Sequence, residues 1–227
     1  MHEGNHDHHG TGHPGGSPAA VDGEFTRHYW EQRYHGGQSA SESGPNAHVV
    51  AELSDLVPGT ALDAGCGEGA VSVWLAELGW RVTAVDIAAS AVARGRERAD
   101  RAGGPVAARI DWLTEDLTRW DPGVDSFDLV CACYVHPVDS NDALFERLAV
   151  AVAPGGTLFI VGHAPGDEHS AAHSEAAHVQ VTAEEVAAGL DPRHWDIQLT
   201  ETRTRSATRA DGAVMTMRDS VFRARKR

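Results

Sequence analysis

Cysteine is scarce. Cys66, Cys131 and Cys133 are the three in 227 residues, too few for a disulfide framework. Cys131 and Cys133 alternate along an apolar stretch expected to be a strand, and so are expected to face opposite ways and stay unpaired. Long apolar runs are also missing. No stretch approaches the length of a membrane span, and the first residues lack the apolar core of a secretory leader. The expectation is a cytoplasmic protein with no membrane partner. Positive charge is in deficit, with 19 Lys and Arg against 33 Asp and Glu, for a formal net charge of −14. A nucleic-acid partner needs a basic footprint, so none is expected. The basic FRARKR at the end is short enough to be a solvated terminus.

What is present suits one α/β domain, with 41% hydrophobic residues in a chain long enough for a sizeable core. Residues 1–23 are rich in Gly, Pro and His and are expected to form a disordered tail. Residues 24–227 are expected to form a single domain, with lid helices over 24–58. The aromatics of EFTRHYWEQRY recur at near-helical spacing, and AHVVAELSDLV is helical up to Pro58-Gly59. The chain then alternates. TALDAG, RVTAVDI, ARIDWLT, SFDLVCACYV and TLFIVGH suggest strands. GAVSVWLAELG, AASAVARGRERADRAG and NDALFERLAVAVAPGG suggest the helices between them. Such alternation calls for a mostly parallel sheet with helices on both faces. After the short Thr-capped helix TAEEVAAGL, WDIQLTETRTR and VMTMRDSVFRAR are expected to form an antiparallel edge pair.

ALDAGCGEGA, residues 61–70, sets glycines 65, 67 and 69 at alternate positions after a strand and before a helix. Something must approach this backbone closely. A dinucleotide phosphate, a nucleoside triphosphate or the amino-acid end of S-adenosylmethionine (SAM) would each suit such a loop at the carboxyl edge of a sheet. The triphosphate reading fails for want of Lys and Ser/Thr at the required positions. The dinucleotide pattern is met only in part, by Gly65, Gly67 and Ala70. Asp63 is unhelpful beside a pyrophosphate but suits a ligand carrying an ammonium group. Asp86 ends the next strand, where a carboxylate can hold a ribose diol. Ile87 could cover an adenine face, and Asp116 could accept from the adenine amino group.

ALDAGCGEG, VDI, TEDL, FDLVCACYV and APGGTLFIVG resemble, in order and spacing, the motifs of class I SAM-dependent methyltransferases over roughly residues 28–165. YWEQRY ahead of the fold resembles their small-molecule branch, which includes tellurite-resistance and thiopurine-type methyltransferases. The resemblance implies a Rossmann-like, seven-stranded sheet in the order 3-2-1-4-5-7-6 with its last pair antiparallel. It implies that Asp63, Gly65, Cys66 and Gly67 meet the methionine end of SAM. Asp86 and Ile87 would meet the ribose and adenine, and Asp116 and Leu117 the adenine. Cys133 or Tyr134 would lie near the methyl group, and Tyr29, Trp30 and Arg33 would belong to a lid helix. The product of transfer would be S-adenosylhomocysteine (SAH).

Methyl transfer needs an aligned nucleophile and exclusion of water. A thiol or selenol ionises without help, whereas a hydroxyl needs a base. His136 and His163 follow apolar strands and are the candidate bases, with Tyr134 to orient the acceptor. Other histidines gather in the tail (His2, His6, His8, His9, His13) and in a stretch expected to overlie the substrate side (His169, His173, His178). His169 and His173, four apart, could share a metal on a helix, but polar lid residues and a solvated tail serve equally well, and no metal site is assigned. The expected activity is transfer of a methyl group to a small-molecule acceptor, either a soft sulfur or selenium nucleophile or a natural-product hydroxyl or amine. The alternatives are a non-catalytic SAM- or metal-binding regulator and an NAD-dependent oxidoreductase.

Overall fold

The computed structural model describes residues 1, 23–35, 44–166, 180–208 and 214–227. The expectations for the His-rich tail and for His169, His173 and His178 lie outside these residues. Elements follow in the order α1 (Arg27–His35), α2 (Ala47–Leu53), β1 (Thr60–Ala64), α3 (Ala70–Glu77), β2 (Arg81–Asp86), α4 (Ala89–Ala102), α5 (Gly104–Ala107) and β3 (Ile110–Thr114). Then come β4 (Phe127–Cys133), α6 (Asn141–Ala151), β5 (Val152–His163), α7 (Ala183–Ala188), β6 (Trp195–Thr208) and β7 (Val214–Lys226).

Seven strands form one sheet in the order β3-β2-β1-β4-β5-β7-β6. The first five run parallel, and β7 pairs antiparallel with both β5 and β6. So β7 alone is reversed, inserted between β5 and the edge strand β6. The period of two along each strand divides the core. Leu62, Val85, Val130, Leu158, Ile160 and Phe222 face α6 and α7, while Ala61, Leu129, Phe159, Val161 and Val221 face α2 and α3. Cys131 and Cys133 both belong to the second group. This corrects the expectation of opposite faces, because residues two apart on a strand point the same way. Both cysteines, like Cys66, are free thiols.

Local chemistry sets the helix ends. Thr26 starts α1, its Oγ1 accepting the Tyr29 amide at 3.3 Å. Asn46 caps α2 through the His48 amide at 2.7 Å. Thr182 caps α7 by accepting the Glu185 amide, and its hydroxyl donates to the Glu185 carboxylate at 2.6 Å. The helix expected to run to Pro154-Gly155-Gly156 stops at Ala151, because Val152 already pairs with Phe127 of β4. A register shift between Phe127 and Leu129 absorbs the Pro-Gly-Gly corner within β5.

Candidate active site

The carboxyl ends of β1, β2, β3, β4 and β5 open into a cavity of about 470 Å³. The β1–α3 loop forms its floor. Gly65, Gly67 and Gly69 all take positive φ, at 74°, 52° and 77°, a region costly for other residues. The atoms that crowd these glycines belong to the protein itself. A β-carbon on Gly65 would stand 2.5 Å from Val135, one on Gly67 2.9 Å from the Tyr34 hydroxyl, and one on Gly69 2.4 Å from the Trp112 ring. A β-carbon on Gly95 of α4 would likewise stand 2.4 Å from the Trp112 ring. The third glycine therefore serves helix–strand packing, and Gly65 and Gly67 alone line the cavity.

Two acids bracket the loop. Asp63 is 1% exposed and accepts the Ser72 hydroxyl at 2.5 Å. Burial lifts its carboxyl to about 6, against the pull of that hydrogen bond. Asp86 accepts the Gly67 amide at 2.8 Å on one oxygen and the Ala88 amide at 2.9 Å on the other. Burial raises its carboxyl too, opposed by these two amides. A carboxylate has about four acceptor positions, so Asp86 keeps room for a diol. Asp116 caps its own turn, one oxygen accepting both the Thr118 amide and hydroxyl at 3.0 and 2.7 Å. Leu117 beside it is buried at the cavity wall.

The opposite wall is built of rings. Phe25, Trp30, Tyr134, His136 and His163 line it. The His136 ring is parallel to both Trp30 and His163, with centroids 6.2 and 6.1 Å apart, and Phe25 approaches it at 5.2 Å. Tyr134 follows β4 at φ 54°, an unusual conformation for a bulky residue. Its hydroxyl turns into a polar cluster. It accepts from Asn46 at 2.7 Å and interacts with Arg205 and Asp219. Asp219 is fully buried and binds Arg205 Nε at 2.6 Å, with His48 Nε2 at 3.3 Å. The Tyr134 ring, at 4.8 Å from His163, is thus held from behind.

Of the residues expected at the site, Asp63, Gly65, Cys66, Gly67, Asp86, Ile87, Asp116, Leu117, Cys133, Tyr134, His136, His163, Trp30 and Arg33 line this cavity. Tyr29 does not. It packs edge-on against Phe25 and Trp30, at 5.4 and 5.2 Å, as support for those rings. Burial holds the Cys66 and Cys133 thiols well above their ordinary range, so they are neutral wall and not nucleophiles. Phe25, Tyr34 and Val135 also line the cavity, although they were not among the expected site residues. Among the described residues no group of three or more His, Cys, Asp or Glu could hold a metal, and no helix is long and apolar enough to cross a membrane.

Residues 61–156 match a family model described as a methyltransferase domain. The ribosomal RNA small subunit methyltransferase C of Alcanivorax borkumensis is 29% identical over 56% of this chain and 39% of its own length. A ubiquinone biosynthesis O-methyltransferase of Xanthomonas euvesicatoria is 36% identical over 49% of this chain and 46% of its own. An uncharacterised methyltransferase of Mycobacterium bovis is 36% identical over 51% and 58%. The chain thus spans about half the length of the curated relatives it matches.

Three solved structures share the fold. The protein studied in the conversion of a disulfide bond into a thioacetal group during echinomycin biosynthesis has a TM-score of 0.67, with 22% identity over 88% of this chain and 92% of that one. TehB from Haemophilus influenzae has a TM-score of 0.62, with 17% identity over 88% and 67%. The N-methyltransferase NodS from Bradyrhizobium japonicum, solved with SAH, also has 0.62, with 19% identity over 87% and 98%. The matched methyltransferase domain coincides with the stretch from β1 to β5 that supplies the glycine loop and the strand-end acids.

Proposed function

We propose that this protein transfers the methyl group of SAM to a small-molecule acceptor. The observation that carries the reading is that one cavity joins the Gly65–Gly67 loop and the acids Asp63 and Asp86 to a ring-lined wall bearing His136 and His163. The residues fit the cofactor. The two glycines leave a floor without side chains, Asp63 offers a buried carboxylate to an ammonium, and Asp86 offers spare acceptor positions to a ribose diol. Leu117 and Ile87 supply apolar cover for a purine. Asp116 holds its turn with one oxygen and presents the other, 3.9 Å from the exposed Arg119 guanidinium, to the adenine amino group. SAM supplies a methyl group already activated by its sulfonium.

The chain's own residues then have three tasks. The first is positioning: the Tyr134 ring, fixed by Asn46, Arg205 and Asp219, forms one rigid side of the acceptor space. The second is exclusion of water by Phe25 and Trp30 of the lid. The third applies to a hydroxyl acceptor, whose proton passes to an imidazole nitrogen of His136 or His163. The rings around His136 and His163 suit an acceptor that is neutral at the reacting end, a thiol, selenol, phenol or uncharged amine, while Arg33, Glu68, Arg98 and Glu115 line the rest of the cavity. The net charge of −14 argues against RNA, the substrate class named for the Alcanivorax relative, because a polyanion is repelled.

The test has two stages. Calorimetry compares SAM with NAD, and binding of NAD in preference to SAM would sink the proposal. SAH release is then measured against soft nucleophiles, phenols and amines. A protein that binds SAM and turns over none of the panel would favour the regulatory alternative.

A further inference from the structure

One face of α1 has no part in the chemistry described so far. Arg27, Glu31 and Tyr34 fall at spacings of four and three, so they share a face. All three meet the two loops that carry the Asp86 hydrogen bonds. Arg27 donates to the Ile87 carbonyl. The Glu31 carboxylate accepts the Ala89 amide at 2.6 Å and the Ser90 amide at 3.3 Å, and so caps α4 from another element. Ala88, at the N-cap position of α4, has no side-chain oxygen to do this itself. Tyr34 lines the cavity and sets its hydroxyl over Gly67. Burial, then the charge of Asp86, keep that phenol protonated.

We infer that Glu31 is a positioning residue for the cofactor: by fastening α1 to the first turn of α4 it keeps Tyr34 seated over the Gly67 loop, and so sets how slowly the cofactor leaves. This rests on the SAM reading above. No disulfide joins α1 to the sheet, and none of its residues is fully buried. Hence its position depends on the few polar bonds at this seam and on the ring contacts of Phe25 and Trp30. Burial by itself would raise the Glu31 carboxyl, yet the bonds from Ser90 and Ala89 hold it below its ordinary value. The latch is therefore charged, and engaged, at neutral pH.

The experiment measures SAH by calorimetry and its dissociation rate by stopped-flow, in the wild type, Glu31→Ala, Glu31→Gln, Tyr34→Phe and the Glu31→Ala/Tyr34→Phe pair. Glu31→Ala is expected to speed dissociation roughly fivefold to tenfold, the scale of one capping interaction, with association changed by less than about twofold. Glu31→Gln, which keeps an acceptor oxygen, should restore part of the loss. The double variant should be no worse than the more affected single, because both act through the same contact. Dissociation within about twofold of wild type in Glu31→Ala, or strictly additive effects in the pair, would overturn the proposal and leave Glu31 a merely structural cap. If the wild type itself binds no SAH, the methyltransferase reading fails first, and this inference falls with it.

Discussion

The Asp86 carboxylate and the Gly67 amide, nineteen positions apart in the chain, are hydrogen-bonded at 2.8 Å across the mouth of the site. This bond ties the end of β2 to the glycine loop. Asp86→Ala should therefore act twice. It removes the proposed ribose acceptor, worth about 1.5–3 kcal/mol or roughly a tenfold to hundredfold loss of SAM affinity. It also frees the Gly67 and Ala88 amides, so unfolding in urea should show a stability loss of similar size. Calorimetry showing unchanged SAM affinity in a folded variant would remove Asp86 from the site.

Asp63 should make cofactor affinity depend on pH. Its carboxyl sits at about 6, above the 3.8 of an unperturbed aspartate. A raised value means the folded state binds the proton more tightly. The group's contribution to stability is thus complete below the unfolded value and is lost as pH rises through about 6. Binding an ammonium needs the opposite, charged form. SAH affinity should therefore weaken as pH falls through the same range, with proton uptake on release. Asp63→Asn should raise the melting temperature at neutral pH while weakening SAH binding. A pH-independent affinity in calorimetry would contradict this.

Gly69→Ala should destabilise the protein by about 2–4 kcal/mol, through the left-handed backbone and through collision with Trp112. Trp112→Leu should recover the collision but not the backbone cost. Chemical denaturation of the two single variants and the double variant separates the two.

Asp219→Asn should cost about 3–5 kcal/mol, because it leaves the partly buried Arg205 guanidinium without its counter-charge. It should also loosen Tyr134, whose hydroxyl interacts with the same pair. Tyr134→Phe keeps the ring in the cavity and should cost far less. Comparable losses in the two variants would show that the cluster does not depend on Asp219.

With a hydroxyl acceptor, alanine at the true base, His136 or His163, should lower turnover roughly a hundredfold with SAM affinity little changed. The wild-type rate should rise with pH and then level off, since the base must be neutral. With a thiol acceptor the same variants should stay near wild type. A pH–rate profile in which both alanine variants behave as wild type on a hydroxyl substrate would clear both histidines.

Much of the architecture was present in local chemistry. Alternating apolar strands and amphipathic helices and Thr182 as a cap are short-range features found where the residues place them, whereas α2, expected to run to Pro58-Gly59, ends at Leu53. Asp63, Asp86 and Asp116 were legible as candidates because they stand at or just past the ends of β1, β2 and β3, the sheet edge where such folds hold ligands. Asp116 shows the limit, since the motif holds but half of its capacity caps a turn.

Only the tertiary structure decided who meets whom across the sheet. Trp112 and Gly69 lie forty-three positions apart, and nothing in ALDAGCGEGA announces that its third glycine is reserved for an indole on β3. Tyr134 and Asp219 likewise meet because β7 inserts beside β5 and pairs Asp219 with His163. The two-residue period by itself puts Cys131 and Cys133 on one face, but the partners on that face, from α2 and α3, come from packing. Sequence patterns report the bonds a residue makes within its own turn or strand. Long-range contacts depend on how whole elements stack, and that is settled by burial summed over the sheet rather than by any single stretch of chain.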